Sequence, residues 1–173
     1  MNFQLTYSNE DDRAYGLAGM AISMASLDAL DRITEIFLDA EGPMVSFAQS
    51  YYYSFSPAVS PKAVWENLMS NFQLTTSLVL GNIMARSLVR LGMEADDETF
   101  DEIRSLVREE GMEVCALDRE EADAVFDKMM RHSRRLFHNP RLQPAVKQLA
   151  NVISRRRRLS VLDLAEELDL LRI

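Results

Sequence analysis

Residues 118–137 read DREEADAVFDKMMRHSRRLF, and this stretch carries the clearest structural signal in the chain. Asp118, with Glu121 three positions later, matches a capping box with Asp in place of Ser or Thr, so a helix is expected to begin there. Asn139 and Pro140 are expected to end it. The apolar residues recur at intervals of three and four, which places them on one face of an amphipathic helix: Ala122, Val125, Phe126, Met129, Met130, Leu136 and Phe137.

Helical spacing extends over most of the chain, and the 6 glycines and 5 prolines fall between the apolar patterns. Ser60 and Pro61 predict an N-cap and first position of a long helix, with a kink near Thr75 or Gly81. We expect an all-α protein, a single-domain helical bundle or array of about six to seven helices over residues 1–173, large enough for one core. The predicted helices cover residues 12–39, 44–56, 61–91, 97–111, 118–138, 142–153 and 160–171, the last as a docking or exchanged element. Asp96 or Asp97 is expected to cap the fourth of them.

The first half of the first predicted helix is unusually thin. Between Gly16 and Ser26 most residues are Gly, Ala or Ser, and such a surface lets two helix axes approach closely. We expect this face to lie against another helix of the chain or against a second copy of the protein.

Charge is distributed unevenly along the sequence. The chain carries 19 Lys and Arg against 27 Asp and Glu, a net charge of −8, yet residues 131–158 contain no acid. That segment also holds both histidines, His132 and His138. It can neutralise the acidic remainder within one molecule, dock on an acidic second copy, or bind a polyanion. Internal or intersubunit pairing is the expected use.

The polyanion alternative names specific contact residues. Four consecutive arginines cannot share one helix face, so we expect the helix to end or leave the core near Arg155, leaving a solvated hinge or a phosphate clamp. Stacking aromatics, which single-strand binders need, are nearly absent from this segment. The candidate contacts to a polyanion or a partner are Arg131, Arg134, Arg135, Lys147, Arg155, Arg156, Arg157 and Arg158.

A cluster of aromatic residues is a second candidate surface. It predicts either an interface or a pocket for a small molecule, and the pocket would favour a carrier or an enzyme. Its members are Phe47, Tyr51, Tyr52, Tyr53, Phe55 and Trp65.

No motif for catalysis, a cofactor or a metal ion is present in the sequence. There is no His-Glu-x-x-His, glycine-rich phosphate loop or nucleophile elbow, and the two histidines are spaced so that a helix would turn them apart. The single Cys115 excludes an intrachain disulfide and is expected to be a small buried hydrophobe. No segment has the length of a membrane anchor or the basic start of a signal peptide, so a cytoplasmic location is expected.

Together these features predict a protein without enzymatic activity that acts through contacts with other proteins, most simply as a homodimer. The thin helix face, the aromatic cluster and the separated charge all resemble surface that awaits a partner. Nucleic-acid or other polyanion binding is the first alternative, and a small-molecule pocket is the second.

Overall fold

The computed structural model describes residues 5–40, 43–52 and 60–171, and most of them are helical. Within these ranges, six helices of more than two turns, one single-turn helix and a small three-stranded sheet make up the fold. The helices are α1 (Glu10–Ala25), α2 (Gln49–Tyr52), α3 (Pro61–Met84), α4 (Asp97–Cys115), α5 (Arg119–Phe137), α6 (Gln143–Arg156) and α7 (Val161–Leu171). The strands β1 (Ile33–Phe37), β2 (Val45–Phe47) and β3 (Arg158–Ser160) pair antiparallel in the order β2-β1-β3.

The sheet corrects the expectation of an all-α fold, which is otherwise approximately right. The helix predicted over residues 12–39 ends at Ala25, and Asp28 then adopts a positive φ of 53°, a conformation that a short polar side chain tolerates. After Ala25 the three- and four-residue spacing of apolar residues does not reflect a helix. Ile33 and Ile36 lie on one buried face of β1 instead.

The helix predicted over residues 44–56 is likewise replaced, by β2 and the single turn of α2. Residues 53–56 of that prediction lie outside the described residues. β-branched residues in both strands suit a half-buried pleated surface better than a helix.

The thin face of α1 packs against α3 within the same chain. A Cβ added at Gly19 would overlap the carbonyl oxygen of Gly81, and one added at Gly81 would lie 2.7 Å from the carbonyl oxygen of Gly19. The two helix backbones therefore touch at this pair, which only glycine allows. We expected either another helix of the chain or a second copy of the protein at this face. In the structure, α3 of the same chain packs there.

Helix α3 is continuous through Thr75 and Gly81, where the kink was predicted. The irregularity comes later, where a π-helical segment, Ala85–Arg90, continues the helix. Helix α4 also passes the predicted stop at Gly111 and ends at Cys115, where Ala116 has a positive φ of 53°.

Two capping predictions are confirmed. Asp96 accepts a hydrogen bond from the backbone N–H of Thr99 (2.9 Å) and caps α4. Asp118 and Glu121 form the reciprocal capping box of α5, at 2.8 and 2.9 Å.

The buried apolar side chains form one continuous cluster to which the six longer helices and the sheet contribute. α1 lies between α3 and α6, and α5 packs on α3 and α4. α7 docks on α6, β1 and β3 of its own chain. None of the described helices is both long and apolar enough to cross a membrane.

Candidate functional site

The structure divides the predicted basic contact residues into those that pair with acids of the same chain and those that do not. Arg157 ends α6 and has a left-handed backbone conformation. Its side chain donates hydrogen bonds to Glu10 on α1 and to Asp39 after β1. Arg158 pairs with Glu35 across the β1–β3 ladder. Hydrogen bonds from Arg157 lower the pKa of both carboxyls that it contacts.

Two more predicted contacts are also engaged internally. Arg156 pairs with Asp163 and Glu167 on α7, and hydrogen bonds from Ser160 and then Arg156 lower the pKa of Asp163 to about 2. Arg134 donates to Glu94 at 2.7 Å. The expected neutralisation within one molecule therefore occurs at these four arginines, and residues 156–158 attach β3 and α7 to the rest of the fold.

The remaining four predicted contacts have no carboxylate partner among the described residues, and they occupy two different grooves. Lys147 and Arg155 border a shallow groove on the outer face of α6, with uncharged polar neighbours. Arg131 and Arg135 border a groove between α3 and α5. The predicted basic segment is thus not one contact surface.

The groove between α3 and α5, called the α3–α5 groove below, combines cations with an apolar floor. Its volume is about 540 Å³, and Lys128, Arg131 and Arg135 supply three positive charges from one side of α5. Lys128 Nζ is 3.3 Å from the amide oxygen of Gln73, and no carboxylate of the described residues pairs with any of the three. The other lining residues are Leu27, Ser70, Gln73, Leu74, Met129 and His132.

His132 is fixed at the edge of this groove by a hydrogen bond to Ser26. The Ser26 hydroxyl donates to the carbonyl oxygen of Ser23 (2.8 Å), and Nε2 of His132 lies at hydrogen-bond distance from the same hydroxyl oxygen (2.9 Å). Burial, and then the charge of Arg135, lower the pKa of His132. The lowered pKa favours the neutral form of this ring at pH 7.

Three residues of the predicted aromatic set, Phe47, Tyr51 and Trp65, have described side chains. Phe47 and Tyr51 stack with ring centroids 4.4 Å apart, and the Tyr51 hydroxyl bonds to Thr75 on α3. Trp65 lies on the first turns of α3 and is 49% exposed. The side chain of Tyr52, together with Tyr53 and Phe55, lies outside the described residues. Phe47, Tyr51 and Trp65 line neither the groove on α6 nor the α3–α5 groove.

A buried ion cluster that the sequence did not reveal lies at the other end of α1. Asp12, whose side chain is 4% exposed, accepts two hydrogen bonds from Arg86 (2.9 and 2.7 Å) and one from Arg90 (3.2 Å). Burial opposes its ionisation, but hydrogen bonds from Arg86 and Ser8 outweigh that effect and lower its pKa to about 2. The sequence signal was Arg86 and Arg90 in a largely apolar helix half.

A third groove, of about 480 Å³, runs over this cluster. The Arg86 guanidinium also bonds to the Thr6 carbonyl and to the buried Asn82, and it stacks over Tyr7 at 4.6 Å. Because its donors are already used by the protein, the cluster holds the π-helical segment against α1 rather than presenting free charge.

Among the described residues, no group of three or more His, Cys, Asp or Glu side chains is arranged to hold a metal ion. Cys115 is buried, as expected, and its thiol lies 3.8 Å from the Leu68 carbonyl oxygen. Burial raises the pKa of this thiol, which makes it a poor nucleophile.

Comparison with known proteins gives no match: no family model fits the chain, and no curated protein or solved structure is significantly similar to it.

Proposed function

We propose that the protein acts without catalysis, by binding another protein, and that the α3–α5 groove receives an acidic segment of that partner. One observation carries the proposal: Lys128, Arg131 and Arg135 line one groove and have no carboxylate partner among the described residues. Elsewhere the chain pairs most of its arginines with its own acids, so an unpaired group of three on one helix edge calls for an external anion.

The composition of the groove favours a polypeptide over a nucleic acid. Leu27, Leu74 and Met129 offer an apolar floor for a partner side chain, while a nucleic-acid strand would need a longer basic track or stacking aromatics. The net charge of −8 also weakens long-range attraction to a polyanion. Nucleic-acid binding is therefore the alternative that the first experiment must distinguish from the binding of an acidic peptide.

That experiment compares a fluorescent peptide of alternating glutamate and leucine with single- and double-stranded oligonucleotides over a range of salt concentrations. The groove variant carries Lys128→Gln, Arg131→Gln and Arg135→Gln. Its charge-matched control carries Arg141→Gln, Lys147→Gln and Arg155→Gln, three cations that also have no carboxylate partner among the described residues but lie outside the groove.

We expect salt-dependent peptide binding that the groove variant loses and the control keeps. Tighter binding of an oligonucleotide than of the peptide, lost in the groove variant, would replace the proposal with the nucleic-acid alternative. Equal weakening in both variants would mean that net charge, and not the groove, attracts the ligand.

The homodimer, the small-molecule pocket and the cytoplasmic location stay predictions. A second copy has acidic helix surface to offer the groove, chiefly on α4, but a rigid helix presents widely spaced carboxylates. A flexible acidic segment fits a groove of this size better, and we therefore take a different protein as the partner.

A further inference from the structure

Two acidic side chains of α5 and the basic side chains of the α3–α5 groove lie on different sides of the helix. Asp123 and Asp127 point towards α4, where they pair with Arg108 (2.9 Å) and Arg104 (2.8 Å). The cations of the α3–α5 groove lie on an adjoining side of the same helix, and none of them forms an ion pair with Asp123 or Asp127. The groove is therefore positively charged although the first turn of α5 carries two glutamates.

No ion pair among the described residues engages these three cations. Lys128 and Arg131 are three residues apart, and Arg131 and Arg135 are four apart, so both like-charged pairs are neighbours on the helix surface. The helix dipole favours a cation in the last turn, which accounts for Arg135. It does not account for Lys128 and Arg131, which precede that turn. A group of like charges that forms no ion pair is a feature that functional sites can retain.

A compact dianion satisfies this geometry better than separate carboxylates do. Guanidinium groups bind phosphate oxygens in a bidentate manner, and a phosphorylated side chain carries nearly two negative charges with three acceptor oxygens. His132 adds a group that can change its charge on binding, because it is neutral in the free protein and lies beside Arg135.

We propose that the α3–α5 groove binds a phosphorylated residue of the partner protein, with Arg131 and Arg135 contacting the phosphate oxygens and Lys128 supplying a third positive charge. Gln73 holds the Lys128 ammonium group at the rim through their hydrogen bond. Leu27, Leu74 and Met129 receive an apolar neighbour of the phosphorylated residue. This inference rests on the proposed function and names the chemistry of its partner.

Three peptides that differ at one position test it. Each has the sequence Glu-Leu-X-Leu-Glu between blocked ends, with phosphoserine, aspartate or serine at X, and binding is measured by calorimetry at pH 7. We expect the phosphoserine peptide to bind about tenfold or more tightly than the aspartate peptide, the effect of about one additional charged hydrogen bond.

The variants for this test are Arg131→Gln with Arg135→Gln, and the charge-matched control Arg141→Gln with Arg155→Gln. We expect the first to lose the preference for phosphoserine and the second to keep it. Both are expected to unfold at nearly the same urea concentration as the original protein, because the replaced side chains are exposed and make no ion pair with described residues.

A second readout follows the His132 ring by nuclear magnetic resonance across pH. We expect the phosphoserine peptide to raise the pKa of His132, since a nearby dianion stabilises the protonated ring. The aspartate peptide should raise it less. An unchanged pKa with the phosphoserine peptide bound would place the ligand elsewhere and overturn the assignment.

The outcomes separate this inference from the function on which it rests. Equal binding of the phosphoserine and aspartate peptides, both weakened in the groove variant, would overturn the phosphate preference and leave the acidic-segment proposal standing. No binding of either peptide to the original protein at low salt would overturn both.

Discussion

At the residue scale, the Asp12 carboxylate shows how the fold uses charge in its interior. It is nearly inaccessible and is stabilised by two arginines from a helix turn more than 70 positions away in sequence. The adjacent Asp11 also pairs with Arg90 but has a 60% exposed side chain. Asp11 and Asp12 both occupy the first turn of α1 and experience the same helix dipole. Comparing substitutions at the two positions therefore shows how burial changes the contribution of a carboxylate to stability.

We expect Asp12→Asn to lower the free energy of unfolding by about 3 kcal/mol, because it leaves two guanidinium groups without their buried partner. Asp11→Asn should cost under about 1 kcal/mol, as is usual for an exposed ion pair. Urea unfolding at pH 7 measures both, and equal losses would contradict the role assigned to the cluster.

The same carboxylate predicts a pH dependence. Its pKa in the folded protein is about 2, below the ordinary value of 3.8, so its contribution is complete above that ordinary value and is lost as pH falls towards 2. The original protein should therefore lose more stability over this interval than Asp12→Asn does. Urea unfolding repeated at several pH values between these limits measures the difference, and parallel losses in the two proteins would contradict it.

At the element scale, the sequence predicted those helices whose signals are local. The capping box of α5 and the Asp96 cap of α4 are each contained within four residues, and both were found. The sheet was missed because its information is not local: Glu35 pairs with Ser160, 125 positions further along. The three-residue spacing of Ile33 and Ile36 fits a helix face and not a regular strand, and both are buried in β1 because its register shifts between Ile33 and Glu35. No Gly or Pro marks the break after Ala25.

Strand β3 offers a direct test of this correction. Leu159 is 1% exposed between the sheet and the core, whereas Leu162, three residues on in the first turn of α7, is 73% exposed. We expect Leu159→Ala to cost about 2–4 kcal/mol of unfolding free energy and Leu162→Ala less than about 0.5 kcal/mol. Chemical denaturation gives both values. Similar small losses would mean that residues 158–160 form the solvated hinge that the arginine run suggested.

At the scale of the whole molecule, the sequence showed that charge is distributed asymmetrically. It did not show which basic residues pair with acids of the same chain and which do not. Composition predicted that the acid-free segment would pair within the chain, and four of its arginines do so. Which of them remain available depends on helix rotation and on acids distant in sequence, such as Glu10 and Asp39 for Arg157. Lys128 was missed for a simpler reason: it lies just outside the acid-free segment, although the fold places it beside Arg131.

The homodimer prediction also belongs to this scale, and the structure changes what kind of dimer to expect. The thin face of α1, one of its three grounds, is covered by α3 of the same chain, and Phe47 stacks on Tyr51. Of the other grounds, the separated charge, with an acidic α4 and a basic α3–α5 groove, predicts self-association that is weak and falls as salt screens it. Sedimentation velocity from low to high micromolar protein, with and without added salt, measures this. A dimer that resists salt would indicate an apolar interface instead, and a monomer at every concentration would remove the homodimer altogether.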